Sequence, residues 1–148
     1  MQSHCRGPES QKRGIYFDPN GIRATITTIP VFDNIFSSDQ FVALETLAAF
    51  SRGREAIRGC KVCVIKQQKR FFYVIFSKYR RGLVNFAIKG ESTDQETWRG
   101  PLVVMRLDTQ TASRVVSISS KFHRELAITA AARYAYSRCP YAADVSKV

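Results

Sequence analysis

Histidine, acid and long apolar runs are all scarce in this 148-residue sequence, and each shortage excludes something. There are two histidines, and His4 stands in a polar N-terminal stretch, so His123 alone is left for acid–base chemistry. No Ser-His-Asp arrangement can be argued from one usable imidazole, and no catalytic residue is assigned. The longest uninterrupted apolar run is Phe71–Phe76. A helix that crosses a bilayer needs about 20 apolar residues, so no membrane partner is expected. The opening MQSHCRGPESQKRG has no hydrophobic core of a signal peptide, and an intracellular, unsecreted protein is expected. Four cysteines in such a chain read as reduced thiols rather than a disulfide framework. Gly53 and Gly59 lack the lysine context of a phosphate loop, and no cofactor is expected.

What the sequence has in excess is positive charge, and it is unevenly placed. Lys and Arg number 23 against 12 Asp and Glu, for a net charge of +11. Residues 14–51 are net negative, with Arg23 alone against Asp18, Asp33, Asp39 and Glu45. Residues 52–81 carry ten basic side chains and a single acid, Glu55. One window therefore supplies most of the excess, which argues for a patch rather than diffuse solubility charge.

Periodicity and turn chemistry give a single α+β domain over 14–148, preceded by a flexible basic tail, 1–13. Residues 14–17 and 22–29 read as strands around Asp18-Pro19-Asn20-Gly21, and Pro30 ends the second. A helix is expected from Ser37, with Gln40 completing a capping box, Phe36 stapled to Phe41, and Leu44, Leu47 and Ala48 on its buried stripe. Strands follow at Lys61–Lys66, Phe71–Lys78, Leu83–Lys89, Leu102–Leu107 and Arg114–Ile118. Trp98 is expected to fold back onto the body from a polar loop. A last helix runs from a Ser119/Ser120 cap to about Arg138, with Phe122, Leu126, Ala130 and Tyr134 as its apolar stripe. The predicted order is β-β-α-β-β-β-β-β-α: a mostly antiparallel sheet with both helices on one face.

A hairpin turning through Gln67–Arg70 sets Lys61 opposite Phe76 and Gly59 opposite Lys78. Arg52, Arg54, Arg58, Lys61, Lys78, Arg80 and Arg81 then converge at one pole. Lys66, Lys69 and Arg70 lie at the other end, roughly 25 Å away at strand rise. Arg forks accept phosphate oxygens in pairs, so such a pole suits a polyanion. The competing reading is that these charges act as gatekeepers around the aggregation-prone Phe71–Phe76 run. Within that run Phe71, Tyr73 and Ile75 share one face and Phe72, Val74 and Phe76 the other. The helices cover only one of the two. The second either stacks bases, or packs on the 14–29 hairpin or on a second copy of the chain.

Cys60 and Cys63 have CxxC spacing, but at the start of a strand their sulfurs point to opposite faces, and no metal site is assigned. The sequence thus points to a small, non-catalytic nucleic-acid-binding protein, RNA favoured over DNA. Its candidate contacts are Arg52, Arg54, Arg58, Lys61, Lys78, Arg80 and Arg81 at one pole and Lys69 and Arg70 at the other. The alternative is an interaction module, homodimeric through the aromatic sheet face or bound to an acidic protein. A small nuclease using His123, with Asp94, Glu96 and Asp108 as metal ligands, comes third.

Overall fold

Large apolar side chains on both faces of residues 71–76 and 102–107 require a sheet that is covered on both sides. The computed structural model, which describes residues 6–34, 36, 40–50, 60–78, 83–88, 98–110 and 112–138, has that arrangement. Its strands are β1 (Arg6–Phe17), β2 (Thr25–Asn34), β3 (Gln40–Val42), β4 (Lys61–Gln67), β5 (Phe71–Ser77), β6 (Leu102–Leu107) and β7 (Val115–Val116), and its helix is α1 (Lys121–Arg138). They form one 7-stranded antiparallel sheet in the order β3-β2-β1-β6-β5-β4, with β7 paired to β6. The domain is sheet-rich α+β, and the sheet curls into a half-barrel.

Two hydrophobic clusters fill the two sides. On one face, termed outer, Ile15, Phe17, Tyr73, Ile75, Leu102 and Val104 meet Leu126, Ala127, Ala130, Ala131, Tyr134 and Ala135 of α1. Alanines along that row let the helix lie close to the strands. On the opposite face, termed inner, Tyr16, Ile29, Val31, Val74, Val103 and Met105 pack on Leu44, Leu47 and Phe50. The face assignments of residues 71–76 follow the sequence pattern: Phe71 joins the outer cluster, Phe72 and Phe76 the inner one.

The second expected helix is absent from the described residues. Gln40–Val42 pairs with Val31–Asp33 as β3, and two 3₁₀ turns follow, Leu44–Thr46 and Ala48–Phe50. Leu44, Leu47 and Phe50 recur every three residues, the 3₁₀ repeat, and all are buried. Gln40 does not cap a helix; its amide donates to Asp33 Oδ1 at 2.9 Å and its oxygen accepts from Val115 N at 2.7 Å. Arg114 also donates to Asp33, at 2.8 Å, so this network draws the β3 edge toward β7 and sustains the curl. The cover on the inner face is therefore these short turns, not a helix beside α1.

Other boundaries move for physical reasons. Residues 6–13, expected within the tail, lie in β1, and Glu9–Arg13 pair with Thr28–Phe32. Residues 1–5 lie outside the described residues. Pro30 does not stop β2. A residue in an antiparallel ladder points its N–H and C=O to the same neighbour, and the Pro30 carbonyl accepts from Ala43 N at 2.9 Å. The missing N–H thus faces the side where β3 has already ended, and the ladder to β1 loses nothing. The expected strand 83–89 is an isolated bridge, Val84 to Arg99, followed by a turn. Asn85 bends it: its buried amide donates to Phe17 O at 2.8 Å and Gly100 O at 2.7 Å, and its oxygen accepts from Ala87 N at 3.1 Å. Trp98 does fold back, fully buried against Tyr134 with ring centroids 5.5 Å apart. Only Val115–Val116 of the expected strand 114–118 pairs with β6.

Two substitutions test this packing. Gly14 sits where β1 begins to pair with β6, and a Cβ there would meet the Met105 sulfur and lie 2.9 Å from Val104 O, a backbone atom that cannot swing away. Gly14→Ala should cost about 1–3 kcal/mol by urea unfolding, as overpacking does. Asn85→Ala strands two buried carbonyls and an amide N–H. A loss of about 2–3 kcal/mol is expected in the same measurement, with Tm falling in parallel.

Candidate nucleic-acid interface

The expected pole is only partly within the described structure. Arg52, Arg54, Arg58, Arg80 and Arg81 lie outside the described residues. Lys61 is exposed at the start of β4, but Lys78 is 7% exposed and its N–H donates to Pro101 O at 3.2 Å. The structure thus removes Lys78 from the open cationic surface. The hairpin register is one step from the expected one, with Lys61 opposite Ser77 rather than Phe76. The cause is the turn: three residues, 68–70, connect Gln67 to Phe71. Gln68 and Lys69 there take φ of 50° and 67°, the left-handed region.

The opposite end of the hairpin is well defined and richer than the sequence suggested. Lys66, Lys69 and Arg70 are exposed on it. The Arg70 guanidinium lies 5.6 Å from the Phe71 ring centroid, and the Lys66 ammonium 5.5 Å from that of Phe72. α1 begins beside this tip. Ser120 caps it, accepting from His123 N at 3.1 Å, as the sequence indicated. Gln67 pins hairpin to helix, accepting from Arg133 at 2.7 Å and donating to Leu126 O at 3.5 Å. Lys121 and Arg124, in the first turn and exposed, therefore share this end with Lys66, Lys69 and Arg70.

Beneath the cations lies an aromatic and polar layer. Phe71, Phe122 and His123 meet edge to face, with centroids 5.1–5.5 Å apart. Tyr73, fully buried, places its hydroxyl 2.9 Å from His123 Nδ1 and 3.3 Å from the His123 carbonyl oxygen. The carbonyl can only accept, and the phenol has one proton. Both contacts are satisfied when the phenol donates to the carbonyl and His123 Nδ1–H donates to the phenol oxygen. Arg106 sits opposite Tyr73 across the β5–β6 ladder, and its Nε is buried with no hydrogen-bond partner among the described residues. Burial, and then the Arg106 charge, holds the His123 pKa below its ordinary 6.5. Burial drives Tyr73 up to about 12, against a smaller opposing pull from Arg106.

The remaining chemical candidates separate. Cys60 packs toward the inner core and Cys63 toward the outer one, so the pair cannot share a metal. Burial also raises the Cys60 thiol pKa, which opposes thiolate formation. Of the nuclease carboxylates, Asp94 and Glu96 lie outside the described residues, while Asp108 Oδ1 accepts from Ser113 N at 3.4 Å within its turn. The signal for the cationic end was present in the sequence as Lys66, Lys69 and Arg70. Lys121 and Arg124 were missed because their approach to the hairpin depends on tertiary packing.

Comparison with known proteins found no matching family model, curated protein or solved structure. Among the described residues, no helix is long and apolar enough to cross a membrane.

The His123–Tyr73 pair gives a pH signature. Below neutrality the unfolded chain takes up the His123 proton first, because the folded pKa is the lower, so stability falls as pH drops through 6.5. Above pH 10 the unfolded chain releases the Tyr73 proton first, and stability falls again toward about 12. Urea unfolding across pH should show a shallower acid limb for His123→Gln and a shallower alkaline limb for Tyr73→Phe.

Proposed function

We propose that this protein is a non-catalytic nucleic-acid-binding protein, with RNA favoured, whose contact surface is the cationic, aromatic end formed by the β4–β5 turn and the start of α1. The observation that carries the reading is an unfavourable one. A helix N-terminus is positive in its own right and is stabilised by acids, yet the first turn of α1 has none and carries Lys121 and Arg124. Lys66, Lys69 and Arg70 are exposed at the same end. Concentrating like charges there costs stability, and a polyanion would relieve it by exchanging counterions for protein cations. Of the other pole expected from the sequence, Lys61 lies about 20 Å away along β4 at strand rise, and Arg52, Arg54, Arg58, Arg80 and Arg81 lie outside the described residues.

A second reading has its own observation. β4 is an edge strand, and its Val62 and Val64 are 58% and 55% exposed. An open edge with apolar side chains favours self-association or strand addition by a partner. This edge takes the place of the aromatic sheet face, whose β5 residues Phe72, Val74 and Phe76 pack into the inner core.

Anisotropy titrations of labelled single- and double-stranded RNA and DNA at two salt concentrations, with light scattering alongside, separate the readings. Lys69→Glu plus Arg70→Glu should weaken binding about tenfold or more and lower the single-strand salt slope by about 1.4, at roughly 0.7 per phosphate contact. Arg80→Glu plus Arg81→Glu measures the other pole in the same assay. A folded dimer with no polyanion affinity beyond that of a generic basic protein would replace the nucleic-acid reading with the second one.

A further inference from the structure

Phe122 is the residue of α1 that departs from its own pattern. Leu126, Ala130 and Tyr134 continue its row at helical spacing and are all buried, whereas Phe122 stays 48% exposed. The ring lies against Phe71, the first residue of β5, and so at the cationic end rather than in the core. Its orientation is nevertheless fixed. It meets Phe71 at 5.5 Å and 79°, and His123 at 5.3 Å and 69°, while Phe71 meets His123 at 5.1 Å and 75°. Each of the three rings is close to perpendicular to the other two. His123 is held in turn by the Tyr73 hydroxyl.

Resting on the nucleic-acid reading, we propose that Phe122 is a stacking platform for an unpaired base, so that the ligand is a single-stranded nucleic acid. A ring already locked by its neighbours loses little side-chain entropy when a base settles on it. Lys69, Arg70, Lys121 and Arg124 lie in the same two segments, supplying the charge that a phosphate on either side of that base requires. The apolar surface does not extend toward the other exposed apolar pair. Val62 and Val64 share the inner sheet face with Phe76 and Val74, while Phe71 and Phe122 sit on the outer one. A single exposed aromatic at the end of the domain that carries Lys69, Arg70, Lys121 and Arg124 complements a base with its phosphates; a protein partner would call for a broader apolar area. A duplex keeps its base faces inside the stack and offers nothing to such a ring.

The test uses the full chain and three ligands: a short oligouridine, a duplex of matched length, and heparin as a polyanion without bases. Phe122→Ala should weaken oligouridine binding between about fivefold and a hundredfold, the range for losing one stacked base, with heparin affinity unchanged. Phe122→Trp should keep the affinity, and its emission should be quenched by oligouridine but not by heparin. Trp98 is the only other tryptophan and is buried, so the new signal is distinct. Thermal melts of both variants establish that the fold is intact. Unchanged oligouridine binding by folded Phe122→Ala, alongside loss in the Lys69/Arg70 reversal, overturns stacking and leaves the nucleic-acid reading standing. Equal losses on oligouridine and heparin, or a preference for the duplex, also overturn stacking. Absence of binding to all three ligands overturns both.

Discussion

The constraint from which the rest of this structure follows is the burial of β6 on both faces. Leu102, Val103, Val104 and Met105 are all inaccessible to solvent, and they alternate between two separate cores. A strand of that kind is stable only if two layers are supplied from elsewhere in the chain. α1 provides one. The other comes from two 3₁₀ turns, whose stretch supplies three buried side chains at three-residue intervals. The curl itself is held at the β3 and β7 edges by Gln40, Asp33 and Arg114. Asp33 depends on both partners: its hydrogen bonds from Gln40 and Arg114 hold its carboxyl below the usual pKa.

The candidate interface is a by-product of the same geometry. The β4–β5 hairpin extends the sheet beside β6 while α1 covers it. The two meet at Phe71, Phe122 and His123, and both ends there carry cations. The aromatic layer beneath them separates two electrostatic environments. Above it, Lys69, Arg70, Lys121 and Arg124 are exposed to solvent. Below it, Arg106 Nε is buried without a hydrogen-bond partner among the described residues, and the adjoining imidazole and phenol are both driven toward their neutral forms.

Sequence alone revealed what local chemistry decides. The 61–77 hairpin, β6, the Ser120 cap and the length of α1 were legible because period, turn residues and capping agree there. Residues 37–48 misled because their capping box is real as a pattern, yet Gln40 gains more from bridging Asp33 to Val115 than from capping. Pro30 misled because a missing N–H matters only where a neighbour would have used it. Asn85 was invisible: an Asn between Val and Phe reads as a strand position, and nothing local says that three backbone groups will converge on its amide. The interface was half legible. Lys69 and Arg70 stand in the basic window, but Phe122 was read as core, and only its exposure beside Phe71 in the folded chain shows that it is not.

The tight turn at Gln68 and Lys69 couples the backbone to the surface it presents. Two adjacent side-chain-bearing residues in left-handed conformation carry strain of about 1–3 kcal/mol each, which Asn-Gly at the same place would relieve. That exchange would also take one exposed cation from the tip of the hairpin. Durability and charge are therefore set by the same two positions, and neither can be changed there without the other.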